Sequence, residues 1–241
     1  ESLILIDSAV NDAIAQKLIP GAVVSVVRNE RVVFLRAYGN KSVVPEVEPM
    51  TEETMFDLAS VSKCVGTTLS FMQLVEQGKV RLSDPVSRYI PDFKPWVDPQ
   101  TGEEDEITIQ DLLTHSSGLD AYIGVPSYVK EFGENTPDSL MRYIATRIRR
   151  NFKPGTDVIY SCLNFITLQN ILQNITGERL CDYAQKCLTS LGFSTRAIFR
   201  CMAVPSQTRT PRNSPSCVHL RRFRKTVCRL LPPCMIPLLA R

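Results

Sequence analysis

The sequence predicts an α+β fold, in which an N-terminal helix and a β-hairpin are followed by a long series of helices. Three observations predict it. Two β-branched runs flank a two-residue polar turn near the N-terminus. Helical spacings dominate from residue 60 onward. No internal repeat divides the body of the chain.

The elements follow in order. Between Leu3 and Ile19, apolar residues fall at Leu3, Ile6, Val10, Ala13 and Ile14, a helical spacing that Pro20-Gly21 should end. Gly21–Arg28 (GAVVSVVR) and Arg31–Tyr38 (RVVFLRAY) straddle Asn29-Glu30 and read as a hairpin. Helices are predicted over Ser60–Gln77, closed by Gly78; over Ile109–Thr114; over Pro137–Arg149, opened by Asn135-Thr136; over Ser161–Asn174; and over Arg179–Leu191.

With 44% apolar and 22% charged residues among 241, the chain is neither disordered nor membrane-spanning by composition. No apolar run approaches the ~18 residues of a transmembrane helix, and residues 1–6 carry no signal-peptide pattern. Four irregularly spaced Cys in the body do not suggest a disulfide scaffold, so the compartment is open between cytoplasm and periplasm.

The net charge of +3 averages two unlike pieces. Residues 1–193 hold 18 Lys and Arg against 25 Asp and Glu, a net −7; residues 194–241 hold 10 Lys and Arg and no acid. That tail also carries 4 of the 8 Cys and 6 of the 16 Pro, with no sustained period. We therefore expect a folded domain over 1–193. The expectation for 194–241 is an out-of-frame tail, with a divergent native segment or an anion-binding module as the alternatives. No nucleic-acid partner is expected.

Much chemistry is excluded. The chain has no H-E-x-x-H, no phosphate-binding or dinucleotide glycine loop, no G-x-S-x-G and no C-x-x-C, and its histidines are His115 and His219. No metal or cofactor is expected. What remains is Ser60 and Lys63, an S-x-x-K pair at the start of a predicted helix. Residues three apart share a helical face, so the amine reaches the hydroxyl that needs a base. A helix N-terminus also favours negative charge developing at Ser60. On its own the pair is a weak signal and reads first as a capping serine and a surface lysine. Tyr160, in Tyr160-Ser161-Cys162-Leu163-Asn164 at the mouth of another helix, is a proton carrier if held against a cation and a core tyrosine otherwise.

Five segments appear in order: IPGAVVSVVRNERVVFLRAYG, PMTEETMFDLASVSK, LVEQGKVRLSDPVSRYIPDF, ITIQDLLTHSSGL and KPGTDVIYSCLNFITLQNILQNITG. Over about Leu3 to Phe193 the chain resembles the serine β-lactamase-like superfamily, nearest its class C β-lactamase, carboxylesterase and D-Ala-D-Ala peptidase branch. The resemblance implies a β-lactamase/transpeptidase-like fold, a helical domain with an antiparallel sheet. It implies Ser60 as the acylated nucleophile, Lys63 as its base partner and Tyr160 as the proton shuttle. The Ser60 N–H would be half of an oxyanion hole. His115, in T-H-S-S-G-L, would be a structural turn.

Two departures stand against the family pattern. Cys162 occupies the substrate-binding place where the family has Asn or Asp, and a thiol is a weak hydrogen-bonding group. Asn164, two residues on, should point elsewhere. The third family motif, a Lys-Thr-Gly or His-x-Gly strand, has no counterpart after Phe193; Lys225-Thr226-Val227 only begins like it. The sheet is accordingly expected to lack its C-terminal strands. The expected function is a serine hydrolase acting on a small ester, amide or lactam, impaired in this chain. The alternative is a non-catalytic remnant or binding protein of the same family.

Overall fold

A computed structural model of the chain describes residues 3–134 and 136–192. The tail of 194–241, with His219 and Lys225-Thr226-Val227, lies outside the described residues, as does the boundary expected at 193. The described part is α+β, with seven α-helices and small antiparallel sheets.

Helix α1 (Ile4–Ala15) is followed by β1 (Gly21–Arg28) and β2 (Arg31–Ser42). The helix ends four residues earlier than Ile19. Lys17 takes a left-handed conformation (φ 57°), and the N–H groups of Lys17 and Leu18 turn back to the carbonyls of Ile14 and Ala13. This is a Schellman motif formed without glycine, which the search for Pro and Gly stops overlooks. The hairpin forms as expected, with Asn29 and Glu30 both at positive φ, the type I′ turn that matches strand twist. Its register runs from Gly21 opposite Gly39 to Arg28 opposite Arg31, with a bulge after Val26. Strand β2 continues past Tyr38 to pair with β3 (Glu48–Pro49), giving the sheet order β1-β2-β3. Helix α1 is tied to β2 by Asp7, which accepts from the Tyr38 hydroxyl and, at 2.5 Å, from Arg36.

The core lies away from the hairpin. A π-helical segment, Lys63–Thr68, runs into α2 (Leu69–Glu76). The Thr68 hydroxyl donates to the Lys63 carbonyl five residues back (3.0 Å), which suits the wider turn, and the Ser70 hydroxyl donates to Gly66 (2.8 Å). After a second small sheet of β4 (Trp96–Val97) and β5 (Glu104–Asp105) come α3 (Ile109–Leu113), α4 (Val125–Phe132), α5 (Pro137–Thr146), α6 (Cys162–Thr176) and α7 (Leu180–Ser190). Helix α6 is buried on almost every side and packs against α3, α5, α7 and the π-helical segment. Phe71, Leu74, Ile107, Ile109, Leu112, Leu119, Leu168, Ile171 and Leu172 form the centre of this core. No helix among the described residues is long and apolar enough to cross a membrane.

Candidate active site

Ser60 stands at the end of an irregular approach. Ala59 before it has φ 43°, a left-handed conformation that a non-glycine residue seldom adopts. The Asp57 carboxylate accepts the Ala59 N–H (2.9 Å), and the N–H groups of Val61 and Ser62 bond back to Leu58 and Ala59. This tight entry puts Ser60 at the first turn of the helical stretch, exposed to solvent. One turn on, the Lys63 Nζ reaches its hydroxyl at 3.2 Å.

Tyr160 arrives from the other side of the core. Ser161 caps α6: its hydroxyl accepts the Leu163 N–H (3.1 Å) and donates to the Asp120 carbonyl (2.6 Å). The Cys162 N–H bonds to Ala121 O, and the Ile159 N–H to His115 O. Held on both sides, Tyr160 projects to Ser60, and its hydroxyl donates to Ser60 Oγ at 2.8 Å. Lys63 Nζ lies 5.3 Å from the centre of the Tyr160 ring and 5.8 Å from that of Phe165. The three sequence-predicted residues Ser60, Lys63 and Tyr160 are thus brought together across 100 positions of chain.

Cys162 is half-buried at the start of α6 and carries a free thiol. Asn164 points away from Ser60 into the protein. It is fully buried; its Oδ1 accepts from the Ser117 hydroxyl (2.6 Å) and its Nδ2 lies 3.2 Å from His115 Nδ1. His115 holds the turn at φ 62°, and its ring packs on Tyr160 (centroids 4.5 Å apart) and Phe165 (5.2 Å). Burial, and then the Lys63 charge, push the His115 pKa below the usual 6.5. The next glycine, Gly118 (φ 76°), lies so close to the chain at Phe152 that a Cβ would meet its carbonyl at 2.6 Å.

The sequence reading did not join His115 to Tyr160. The available signal was the polar Ser161, Asn164 and Thr167 on a helix too apolar to face water. Buried polar groups require partners, and in the structure Ser161 and Asn164 find theirs at His115 and Ser117 of the T-H-S-S-G turn.

A family model, "Beta-lactamase", matches residues 6–208. The chain belongs to the Beta-lactamase family. Among its relatives, the N-acetylmuramyl-L-alanine amidase of Bacillus subtilis (strain 168) is 31% identical over 175 residues, covering 69% of this chain and 40% of the amidase. Among solved structures, EstCE1, described as a hydrolase with promiscuous acyltransferase activity, has a TM-score of 0.65 at 30% identity. The match covers 78% of this chain and 51% of EstCE1. The octameric penicillin-binding protein homologue from Pyrococcus abyssi has a TM-score of 0.62 at 26% identity, covering 80% and 43%. The chain therefore spans about half or less of these Beta-lactamase-family relatives, within the β-lactamase/transpeptidase-like fold.

Proposed function

We propose that this Beta-lactamase-family chain is a serine hydrolase that forms an acyl-enzyme at Ser60 from small esters, amides or lactams. One observation carries the reading: Ser60 Oγ lies within hydrogen-bond reach of both Lys63 Nζ and the Tyr160 hydroxyl. Attack forms the bond from Oγ to the acyl carbon as the hydroxyl proton passes to whichever of the two partners has lost its own proton. The other partner remains a donor to the developing negative charge. Collapse of the adduct breaks the bond to the leaving alkoxide or amine, which takes the proton back. Water then releases the acid by the same relay in reverse. The Ser60 main-chain N–H is the oxyanion donor this reading uses.

Esters fit best. An ester leaves with less help than an amide, and Cys162 is a weak partner for a substrate amide. The 241-residue polypeptide, tested as such, is expected to acylate but to turn over slowly. Loss of even one oxyanion donor costs about 10²–10³ in rate, and the chain after Phe193 holds no Lys-Thr-Gly or His-x-Gly.

A fluorophosphonate probe with intact-mass readout tests the reading. One adduct is expected, mapped to Ser60 and lost in Ser60→Ala. A folded chain that never labels sinks the proposal and leaves the non-catalytic remnant. Rapid Ser60-dependent hydrolysis of a chromogenic ester overturns the slow-turnover part alone.

A further inference from the structure

The Ser60 reading uses three side chains and leaves His115 unused, although its ring lies 4.5 Å from the ring of Tyr160. Two hydrogen bonds meet at His115 Nδ1 and set the tautomer of the neutral ring. In the first, the Ser161 main-chain N–H points at Nδ1 at 3.2 Å. A backbone N–H can only donate, so Nδ1 carries a lone pair and the proton of the neutral ring sits on Nε2. For the second, the Leu119 N–H donates to Ser117 Oγ (3.2 Å), which donates in turn to Asn164 Oδ1 (2.6 Å). The Asn164 amide is thereby oriented with Nδ2 as a second donor to His115 Nδ1, at 3.2 Å. Ser117, Ser161 and Asn164 are all fully buried. Two donors from buried residues converge on one acceptor, on a ring that is itself half-buried.

We propose, resting on the Ser60 reading, that His115 is a positioning residue for Tyr160. Its unprotonated Nδ1 anchors the Ser161 N–H while its ring packs against the phenol, and a proton on Nδ1 removes the anchor and loosens Tyr160 from Ser60. Ser161 directly follows Tyr160, so release of its N–H moves the backbone that aims the phenol. The proton would also face two N–H groups at hydrogen-bond distance, a repulsion that the half-buried surroundings screen less than water does.

The charged and titratable groups around the ring agree with this direction. Lys63, from the π-helical segment, repels a second positive charge, and burial and Lys63 together hold the ring neutral. Tyr160 and Cys162 lie on the α6 side. Asp111, on α3, has its carboxylate committed to Thr108 and Ser116, and Asp120 has its own bound to Asn151. A hydrogen-bonded carboxylate keeps its charge, but the charged group that acts on the ring is Lys63, and it disfavours an imidazolium.

The test is the pH dependence of Ser60 labelling by a fluorophosphonate in the full chain, beside His115→Asn and His115→Ala. Asparagine tolerates the left-handed backbone and offers Oδ1 as a fixed acceptor that cannot titrate. Wild-type labelling should fall with the slope of one proton on the acid side of the usual imidazole range. H115N should hold its rate through that range and stay within about threefold of wild type above it. H115A should be slow at every pH, by about tenfold, the worth of one hydrogen bond. An H115N profile that keeps the wild-type acid limb overturns the proposal.

Nitrogen NMR of the imidazoles supplies a readout independent of labelling. His219 is the chain's other histidine, so H115N assigns the signals by difference. An unprotonated Nδ1 and a proton on Nε2 at neutral pH are expected; a proton on Nδ1 overturns the proposal even if Ser60 labels well. If wild type labels at no pH, the Ser60 reading fails, and the NMR result alone decides whether His115 anchors the turn.

Discussion

Cys162 stands where the family pattern has Asn or Asp, and under the proposed function its weak hydrogen bonding would disfavour a substrate amide. Its N–H is bound to Ala121 O, so the backbone at the mouth of α6 is fixed whatever side chain stands there. Cys162→Asn should therefore change the hydrogen bonding offered to a substrate without moving Tyr160. A neutral hydrogen bond to a substrate amide is worth about 1.4 kcal/mol, or tenfold. The prediction is a ratio: labelling of Ser60 by a penicillin relative to a fluorophosphonate should rise about tenfold in C162N. An unchanged ratio would take residue 162 out of the substrate's reach. At this scale the sequence was informative wherever chemistry depends on local spacing. Ser60 and Lys63 meet because they are one turn apart, and the proximity of Tyr160 was implied by the family resemblance. What could not be read was His115 against Tyr160, because that contact depends on how the T-H-S-S-G turn and α6 cross in space.

Among the elements, the stretch Arg81–Ile90 shows what local patterning conveys and what it conceals. Ser83-Asp84-Pro85 carries turn chemistry, and the structure forms a short 3₁₀ turn, Val86–Arg88, directly after it. What the pattern conceals is that Asp84, almost fully buried, is the hub of that turn. Its carboxylate accepts the Tyr89 hydroxyl (2.6 Å), the Arg81 N–H (2.8 Å) and Arg88 (3.1 Å). The Tyr89 bond, ahead of the Arg81 and Arg88 contributions, holds the Asp84 carboxyl below its usual 3.8, while burial and Asp84 push Tyr89 up to about 12. A carboxyl that titrates lower in the folded than in the unfolded chain binds fewer protons when folded just below the unfolded value. Its stabilisation is complete above about pH 4 and is lost as pH falls through the lower folded value. Asp84→Asn should cost about 1–3 kcal/mol in urea unfolding at neutral pH and flatten part of the acid decline. Asp7 and Asp182 shift the same way and should leave a residual slope. Equal acid slopes in the two proteins would refute the assignment. Other elements escaped the sequence for physical reasons of their own. Helix α4 is short, yet Val125, Tyr128, Val129 and Phe132 do repeat at helical spacing, and Pro126 suits its first turn. The π-helical segment depends on hydroxyl-to-carbonyl bonds from Thr68 and Ser70 that no periodicity encodes.

Across the whole molecule, stability and the candidate site are concentrated in one part. The buried core runs from Phe71 to Tyr183, and among hairpin residues Tyr38 alone is a buried apolar side chain. Among the described residues β1 pairs only with β2, leaving its other edge unpaired, and Val27, Val32, Val33 and Leu35 are exposed. With β3 pairing only at the far end of β2, the β1–β2 ribbon has little of the support that an isolated hairpin lacks in water. The anchor to α1 is the exposed Asp7–Arg36 pair and the Asp7–Tyr38 bond, and a solvent-exposed ion pair contributes little. Lys63, His115 and Tyr160, by contrast, are braced against α6 through Phe165, Ser161 and Asn164. Opening the hairpin should therefore cost much less than opening the site. In native-state hydrogen exchange of the full chain, amides of β1 should be protected at least about a hundredfold less than those of Leu168–Leu172 in α6, a gap of about 2.8 kcal/mol. Ser60 labelling should survive denaturant concentrations at which β1 already exchanges freely. Protection of β1 equal to that of α6 would mean that the hairpin is held by something beyond β2 and α1, and the division of the molecule into a firm helical body and a loosely held hairpin would fail.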